Sequence, residues 1–250
     1  MNIIKNKLFL LSVLSCVSFF AFGQSFEGEI KYDRNYYWVK VNSRMPYLSQ
    51  EEKDRMKYTY GKREGWTSKM ELWVQNNQTV YKDGEQSGSE GWSWRPDEFL
   101  IYRDFNTMHS KELIETLGKT YFIDESFHFP KWKIKNEIKE VAGYLCMKAE
   151  TVDTIKNQTI EAWFTDQIQV NSGPERMCGL PGMIMELNIN DGCVVITATS
   201  VIPKKLENGL PLPKKFKGKK ISDYDLQMKM KKQIADAIKS EKNPYWSIRY

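Results

Sequence analysis

Along most of the chain apolar and polar residues alternate one by one, in short runs separated by turn-forming residues. Met70, Leu72 and Val74 alternate with Glu71, Trp73 and Gln75, the period-two pattern of a strand with one buried face. Asn76-Asn77 is a turn signal, and Thr79-Val80-Tyr81 reads as the return strand. The same reading places strands at 98–105, 119–127, 143–152, 159–164, 183–189 and 193–202. Short connections between successive strands predict a mainly β fold with an antiparallel sheet, not βαβ units. One hairpin can be read in register. Asp191-Gly192 suits a two-residue type I′ loop, which pairs Asn190 with Cys193, Ile189 with Val194, Leu187 with Ile196 and Met185 with Ala198. The last three pairs are apolar and share one side, as a single buried face requires.

Helices are few. Ser49 with Glu52 three residues on is a capping box, predicting a short helix over 50–58. Ser222 with Asp225 starts a second, C-terminal helix reaching about Lys239, with a stripe of Leu226, Met230, Ile234, Ala237 and Ile238. Between sheet and helix, residues 203–220 hold Pro203, Pro211, Pro213 and a run of lysines. They predict an exposed, extended connector whose charge serves solubility. Residues 84–96 form a second irregular stretch, in which Trp92 and Trp94 are expected to pack over the sheet edge.

The first 23 residues break this pattern. Lys5 and Lys7 precede an apolar run over 8–20, and Ala21-Phe22-Gly23 sets small residues before a cut that leaves Gln24 first, the anatomy of a signal peptide. Val13-Leu14-Ser15-Cys16 resembles a degenerate lipidation site, but the apolar run continues through Val17, Phe19 and Phe20, which favours soluble export. No later stretch approaches the roughly 20 apolar residues a spanning helix needs. The expected organisation is a leader over 1–23, one domain over 24–240 and a tail over 241–250. Three cysteines then remain, Cys146, Cys178 and Cys193; outside the cytoplasm two can pair, and all three pairings are open.

Composition narrows the classes. With 41% hydrophobic and 13% aromatic residues the chain is not disordered. Its net charge of +5, or +3 without Lys5 and Lys7, is too mild to imply a nucleic-acid partner. Thioethers and thiols cluster at Cys146-Met147, Met177-Cys178, Met183/Met185 and Met228/Met230, and such soft ligands suit copper(I). Most diverge, however. Met185 and Cys193 fall on opposite faces of the hairpin, and residues two apart on a helix point away from each other. No metal site and no cofactor are assigned, with Met177 and Cys178 the best-placed soft donors. Acid–base chemistry has His109, His128, and the carboxylates Glu161 and Asp166 flanking Trp163, none in a metalloprotease frame. There is no nucleophile elbow and no C-x-x-C pair. Gly173-Pro174 and Gly179-Leu180-Pro181-Gly182 force two turns directly before a buried strand.

That last segment, Gly179-Leu180-Pro181-Gly182-Met183-Ile184, resembles the signature of the GLPGLI family of exported bacterial proteins, with Met183 replacing Leu. The opening Phe26-x-Gly28-x-Ile30-x-Tyr32, Trp132-Lys133-Ile134, Gly143-Tyr144-Leu145-Cys146-Met147-Lys148-Ala149, and Ala162-Trp163-Phe164-Thr165 are similar to the family's other words. Arg176-Met177-Cys178 departs from the pattern of many relatives. The family resembles the bowl-shaped, non-catalytic N-terminal domain of some peptide-N-glycosidases. The resemblance implies one strongly curved antiparallel sheet, a bowl or half-barrel with a C-terminal helix. It also implies an exported protein, periplasmic or outer-membrane-associated and possibly secreted, acting as a binding or accessory module for an envelope protein or small ligand. Binding is expected in the sheet's concavity or against the bend, at Trp163, Arg176, Gly179, Leu180, Pro181 and Gly182. The alternatives are a glycan- or peptide-directed hydrolase using Glu161, Asp166 or a histidine, and a soft-metal (copper) protein built on Cys178.

Overall fold

The computed structural model describes residues 26–62, 65–84 and 98–249. The leader with Cys16, and Trp92 and Trp94, lie outside the described residues. Twelve strands form one open, curved sheet: β1 (Gly28–Tyr36), β2 (Trp66–Gln75), β3 (Gln78–Asp83), β4 (Phe99–Asp104), β5 (His109–Thr116), β6 (Lys119–Ser126), β7 (Lys133–Val141), β8 (Tyr144–Asp153), β9 (Gln158–Thr165), β10 (Met183–Ile189), β11 (Val194–Pro203) and β12 (Lys219–Lys220). Among the described residues three α-helices accompany them, α1 (Trp38–Ser43), α2 (Gln50–Tyr60) and α3 (Asp223–Lys239), with a 3₁₀ turn at Pro244–Trp246. The strand order is β12-β6-β5-β4-β3-β2-β1-β11-β10-β9-β8-β7. Two antiparallel meanders, β2–β6 and β7–β11, therefore meet at the central strand β1, which pairs with both β2 and β11. The exception to the antiparallel rule is the two-residue β12, which runs parallel to β6.

The period-two pattern becomes one buried inner face. Leu72, Tyr81, Ile101, Glu112 and Ile123 stand directly opposite one another across β2 to β6, and all are at most 2% exposed. The neighbouring row carries Thr79, Arg103, Ser110 and Glu125. Helix α3 is capped as expected, with the Ser222 hydroxyl accepting from the Asp225 N–H at 3.0 Å. It buries Leu226, Met230 and Ala237, and burying each of the two larger side chains contributes about 1.5–3 kcal/mol. Helix α2 has both limbs of its capping box but buries none of its residues, so its cap and first-turn acids support it more than packing does.

The structure adds three points to this reading, the first of them a correction. The β10–β11 register is as read, with Ile189 opposite Val194 and Leu187 opposite Ile196, but the loop holds four residues, not two. Asn190, Asp191 and Gly192 all take positive φ (53°, 54° and 77°), and the Cys193 N–H donates to the Ile189 carbonyl at 3.0 Å. Asn190 is drawn away from Cys193 because its own N–H donates to the Thr159 carbonyl (2.9 Å) and its side chain accepts from the Thr159 N–H (3.1 Å). Pairing stops at Glu186–Thr197; Met185 lies in a β10 irregularity, and Ala198 faces Tyr32 instead. Second, residues 243–249 are bonded to the sheet. The Ser247 carbonyl accepts from Leu117 N–H (2.7 Å) and Thr116 hydroxyl (3.0 Å), and Ile248 is buried. Third, the three cysteines are separate buried thiols. Burial pushes all three above the ordinary thiol value, Cys146 to about 11, which disfavours the reactive thiolate.

Candidate functional site

The chain leaves β9 at Thr165 and rejoins the sheet at Met183, and the loop between them delivers charged side chains to the inner face. Four interactions shape it. Gly179 N–H donates to Asn171 (2.8 Å), Gly182 N–H to Leu180 (2.7 Å), Met183 N–H to Ile168 (3.0 Å) and Ile184 N–H to Ser172 (2.9 Å). The Trp132 indole N–H donates to the Cys178 carbonyl at 2.9 Å and the Tyr32 hydroxyl to the Ile184 carbonyl at 2.8 Å, so two of the motif aromatics brace the bend. Gly182 sits at φ 142° with the Thr165 carbonyl where a Cβ would be, and Gly179 at φ 90° lies against the Phe129 ring. Leu180 is fully buried, whereas Pro181 is exposed. The bend is thus a packed support for what precedes it.

What precedes it lines a cavity of about 340 Å³, walled by β4–β6 and β9–β10, roofed by α3 and closed by the C-terminal residues. Arg176 reaches across it, Nε to Glu112 Oε2 at 2.8 Å and Nη2 to Asp223 Oδ1 at 2.6 Å, tying the loop to β5 and to the first residue of α3. Burial alone would lower the Arg176 pKa, but the Glu112 and Asp223 carboxylates outweigh it and hold the guanidinium above its usual value. Glu175, held at φ 56°, accepts from Arg249 Nε (2.9 Å) and Nη2 (2.7 Å) and from the Tyr81 hydroxyl (3.2 Å). Arg103 Nη2 donates to the Glu175 carbonyl at 3.1 Å. Lys156 Nζ donates to the Arg249 carbonyl at 3.2 Å, and burial pulls that amine below the usual lysine value. Among the described residues two buried side-chain polar atoms have no partner, Arg103 Nη1 and Gln227 Oε1. Both residues line this cavity. Met177 and Cys178 border it too, and among the described residues no group of three His, Cys, Asp or Glu side chains is arranged to hold a metal.

The sequence-predicted residues are only partly gathered. Arg176 is in the cavity wall, and Gly179–Gly182 support it from behind. Trp163 alternates with the inward Ala162 and Phe164 of β9 and so faces the other side of the sheet. There its indole N–H donates to Glu161 (3.0 Å) and Lys139 Nζ lies 4.4 Å from its ring centroid. Glu161 is further paired with Lys148 at 2.8 Å. His109 alternates with the inward Ser110 and pairs with Asp124 at 2.7 Å, and six strands lie between β5 and β9 in the sheet order. His128 borders the cavity, and Asp166 is exposed at the loop's start. The proposed acid–base residues therefore do not converge. Arg103, Glu112, Glu175, Gln227 and Arg249 escaped the sequence reading. A signal existed for two of them: Arg103 stands two residues beyond Ile101, and Glu112 lies between Ser110 and Ile114. In each case the strand period puts a charge on the core face.

The curved open sheet has counterparts among known proteins. The family model described as N-glycanase peptide, N-terminal domain, matches residues 56–226, and the chain belongs to that family. Two solved structures of PNGF-II share the fold. One, in space group P21, aligns with a TM-score of 0.53 and 13% identity, covering 81% of this chain and 32% of that one. The other, in space group C2, aligns with a TM-score of 0.52 and 16% identity, covering 82% and 32%. The chain thus spans about a third of the length of those solved proteins. No curated protein matches it.

Proposed function

We propose that the protein is an exported, non-catalytic accessory module of the cell envelope that binds a glycan or glycan-bearing partner, and that it is a member of the GLPGLI family. The match to an N-glycanase N-terminal domain over residues 56–226 carries this reading, because that domain is named for a glycan-directed enzyme. The dispersal of Glu161, His109 and Asp166 weighs against a catalytic constellation, since acid–base partners must lie within hydrogen-bond reach of one reacting group. The signal-peptide anatomy of residues 1–23 supports export to the periplasm or outer membrane, and among the described residues no helix is long and apolar enough to cross a membrane.

The test uses immobilised protein and one glycoprotein with and without its N-linked glycans. Retention of the glycosylated form alone, with its glycan mass unchanged after prolonged incubation, is the expected result. Equal behaviour of the two forms would overturn the glycan reading, and release of the glycan would establish the hydrolase instead.

A further inference from the structure

The mild net charge conceals an uneven distribution. Residues 204–239 hold eleven lysines against four acids, a local charge of +7 in a chain whose total is +5, so the remaining residues are net negative. Every lysine from Lys214 to Lys232 is exposed, and among the described residues none of them joins an ion pair. The fold gathers these lysines. The Phe216 ring stacks on Phe122 at 5.3 Å, and Lys219 and Lys220 stand opposite Tyr121 and Phe122. The Ile221 and Asp223 N–H groups donate to the Phe122 carbonyl and the Glu125 carboxylate, each at 3.0 Å. Residues 216–223 therefore run along the outer edge of β6, at one end of the sheet, and lead straight into α3. There Leu226, Met230 and Ala237 face inward, and at about 100° per residue Tyr224, Lys231 and Lys232 turn away from them. The sheet edge and the outer side of α3 thus form one basic ridge. A solubilising surface intersperses both signs, whereas residues 208–222 hold five lysines and no acid. Edge lysines that block strand pairing would account for β12 but not for α3. Two large apolar side chains stand exposed on the same stretch, Leu212 at 41% and Tyr224 at 70%.

We propose that this ridge is a docking surface for the anionic phospholipid face of a membrane. Its lysines lie over the phosphate headgroups, and Leu212 and Tyr224 enter the interfacial layer beneath them. Three features select that partner. The charge is predominantly of one sign and unpaired, the complement of an anionic bilayer, at whose surface each lysine is worth roughly fivefold in binding. The exposed apolar side chains need an apolar layer beside the charges, and a tyrosine suits the headgroup level, with its ring buried and its hydroxyl wet. Lysine stems are long enough to reach headgroups from a convex ridge while their methylenes cover apolar surface. Duplex nucleic acid presents phosphates as well, but no layer that takes Leu212 and Tyr224. No glycan enters this inference. The ridge holds the module at a membrane surface reversibly and in a salt-dependent way, although among the described residues no helix is long and apolar enough to cross one.

Sedimentation with vesicles of phosphatidylcholine, alone or in equimolar mixture with phosphatidylglycerol, tests the assignment. The protein used runs from Gln24 onward, which keeps every described residue and leaves the apolar leader out of the measurement. At about 0.1 M salt the mixed vesicles are expected to bind at least about tenfold more tightly than the neutral ones. At about 1 M, where the screening length falls from about 10 Å to about 3 Å, the difference should disappear. Lys219→Gln/Lys220→Gln/Lys231→Gln/Lys232→Gln changes only exposed side chains and is expected to weaken binding to the mixed vesicles about tenfold or more. Lys53→Gln/Lys57→Gln/Lys62→Gln, along and just beyond α2, should weaken it by about threefold at most. Leu212→Ser/Tyr224→Ser should weaken it about fivefold with the charge unchanged. Equal binding to the two kinds of vesicle, equal losses in the two lysine variants, or unchanged binding after Leu212→Ser/Tyr224→Ser would overturn the proposal. Tighter binding to duplex DNA than to the mixed vesicles would overturn it as well. None of these results bears on retention of the glycosylated protein, so the accessory function stands or falls separately.

Discussion

Gly182→Leu is expected to lower the melting temperature by about 10 °C or more, the equivalent of about 3–5 kcal/mol for a chain of this size. Two separate costs coincide at this position. A φ of 142° is one that L side chains rarely adopt, and a Cβ there collides with the Thr165 carbonyl. That carbonyl is backbone at the end of β9, directly opposite Met183 in the β9–β10 pairing, so it cannot swing aside as a side chain would. Relief requires the loop to lift off the sheet, which would also draw Glu175 and Arg176 out of the cavity wall. Gly182→Ala meets the same collision with less bulk and should fall between wild type and Gly182→Leu. Thermal unfolding followed by circular dichroism measures all three. A folded Gly182→Leu protein with an unchanged midpoint would show that the bend does not depend on this glycine.

Glu175→Ala is expected to cost about 3–5 kcal/mol, the usual penalty for removing one partner of a buried ion pair. Only 8% of the Glu175 side chain and 13% of the Arg249 side chain are exposed, and the carboxylate accepts two guanidinium bonds and the Tyr81 hydroxyl. A non-glycine residue at positive φ is uncommon, so Glu175 holds its conformation against the local backbone preference. These bonds hold it there, and they also dock the C-terminal residues onto the inner face. Urea unfolding of Glu175→Ala, Arg249→Met and Glu175→Leu/Arg249→Met distinguishes an uncompensated charge from lost packing. The double variant should be more stable than Glu175→Ala, because the Arg249 charge leaves together with its carboxylate, while Arg34, 4.0 Å from that carboxylate, keeps its bond to the Ser68 hydroxyl. A single-variant cost below about 1 kcal/mol, the level of an exposed pair, would mean that solvent already reaches this site.

Legibility in the sequence followed the physics of each element. Met183–Ile189 was placed to the residue, because its apolar side chains and the flanking turn residues coincide. Both capping motifs were found because a hydroxyl three residues before a carboxylate is a local arrangement that needs no tertiary partner. Strand β5 was missed because its inward positions are Ser110, Glu112, Ile114 and Thr116, a polar face buried only because Arg176 and the C-terminal segment come to meet it. Strand β7 was missed for the opposite reason: it is a sheet edge with six of its nine residues exposed, so no alternation develops. The candidate site divides in the same way. Arg176 and the bend were visible through local turn chemistry and a departure from the family pattern. Arg103, Gln227 and Arg249 come from β4, α3 and the chain's end, and only the tertiary fold brings them to one cavity. Trp163 and Arg176 are both expected at one binding surface, yet the period of β9 turns Trp163 to the side of the sheet away from the cavity that Arg176 lines.

The central claim is that the working surface is this inner-face cavity and not the outer face around Trp163. Backbone amide NMR of the full chain, titrated with a soluble N-glycopeptide, addresses it directly. The account predicts saturable shifts concentrated at Arg103, Glu112, Arg176–Cys178, Gln227 and Arg249, with Lys139, Lys148 and Trp163 unmoved. Shifts confined to the Trp163 face, or no shifts at saturating glycopeptide, would contradict it.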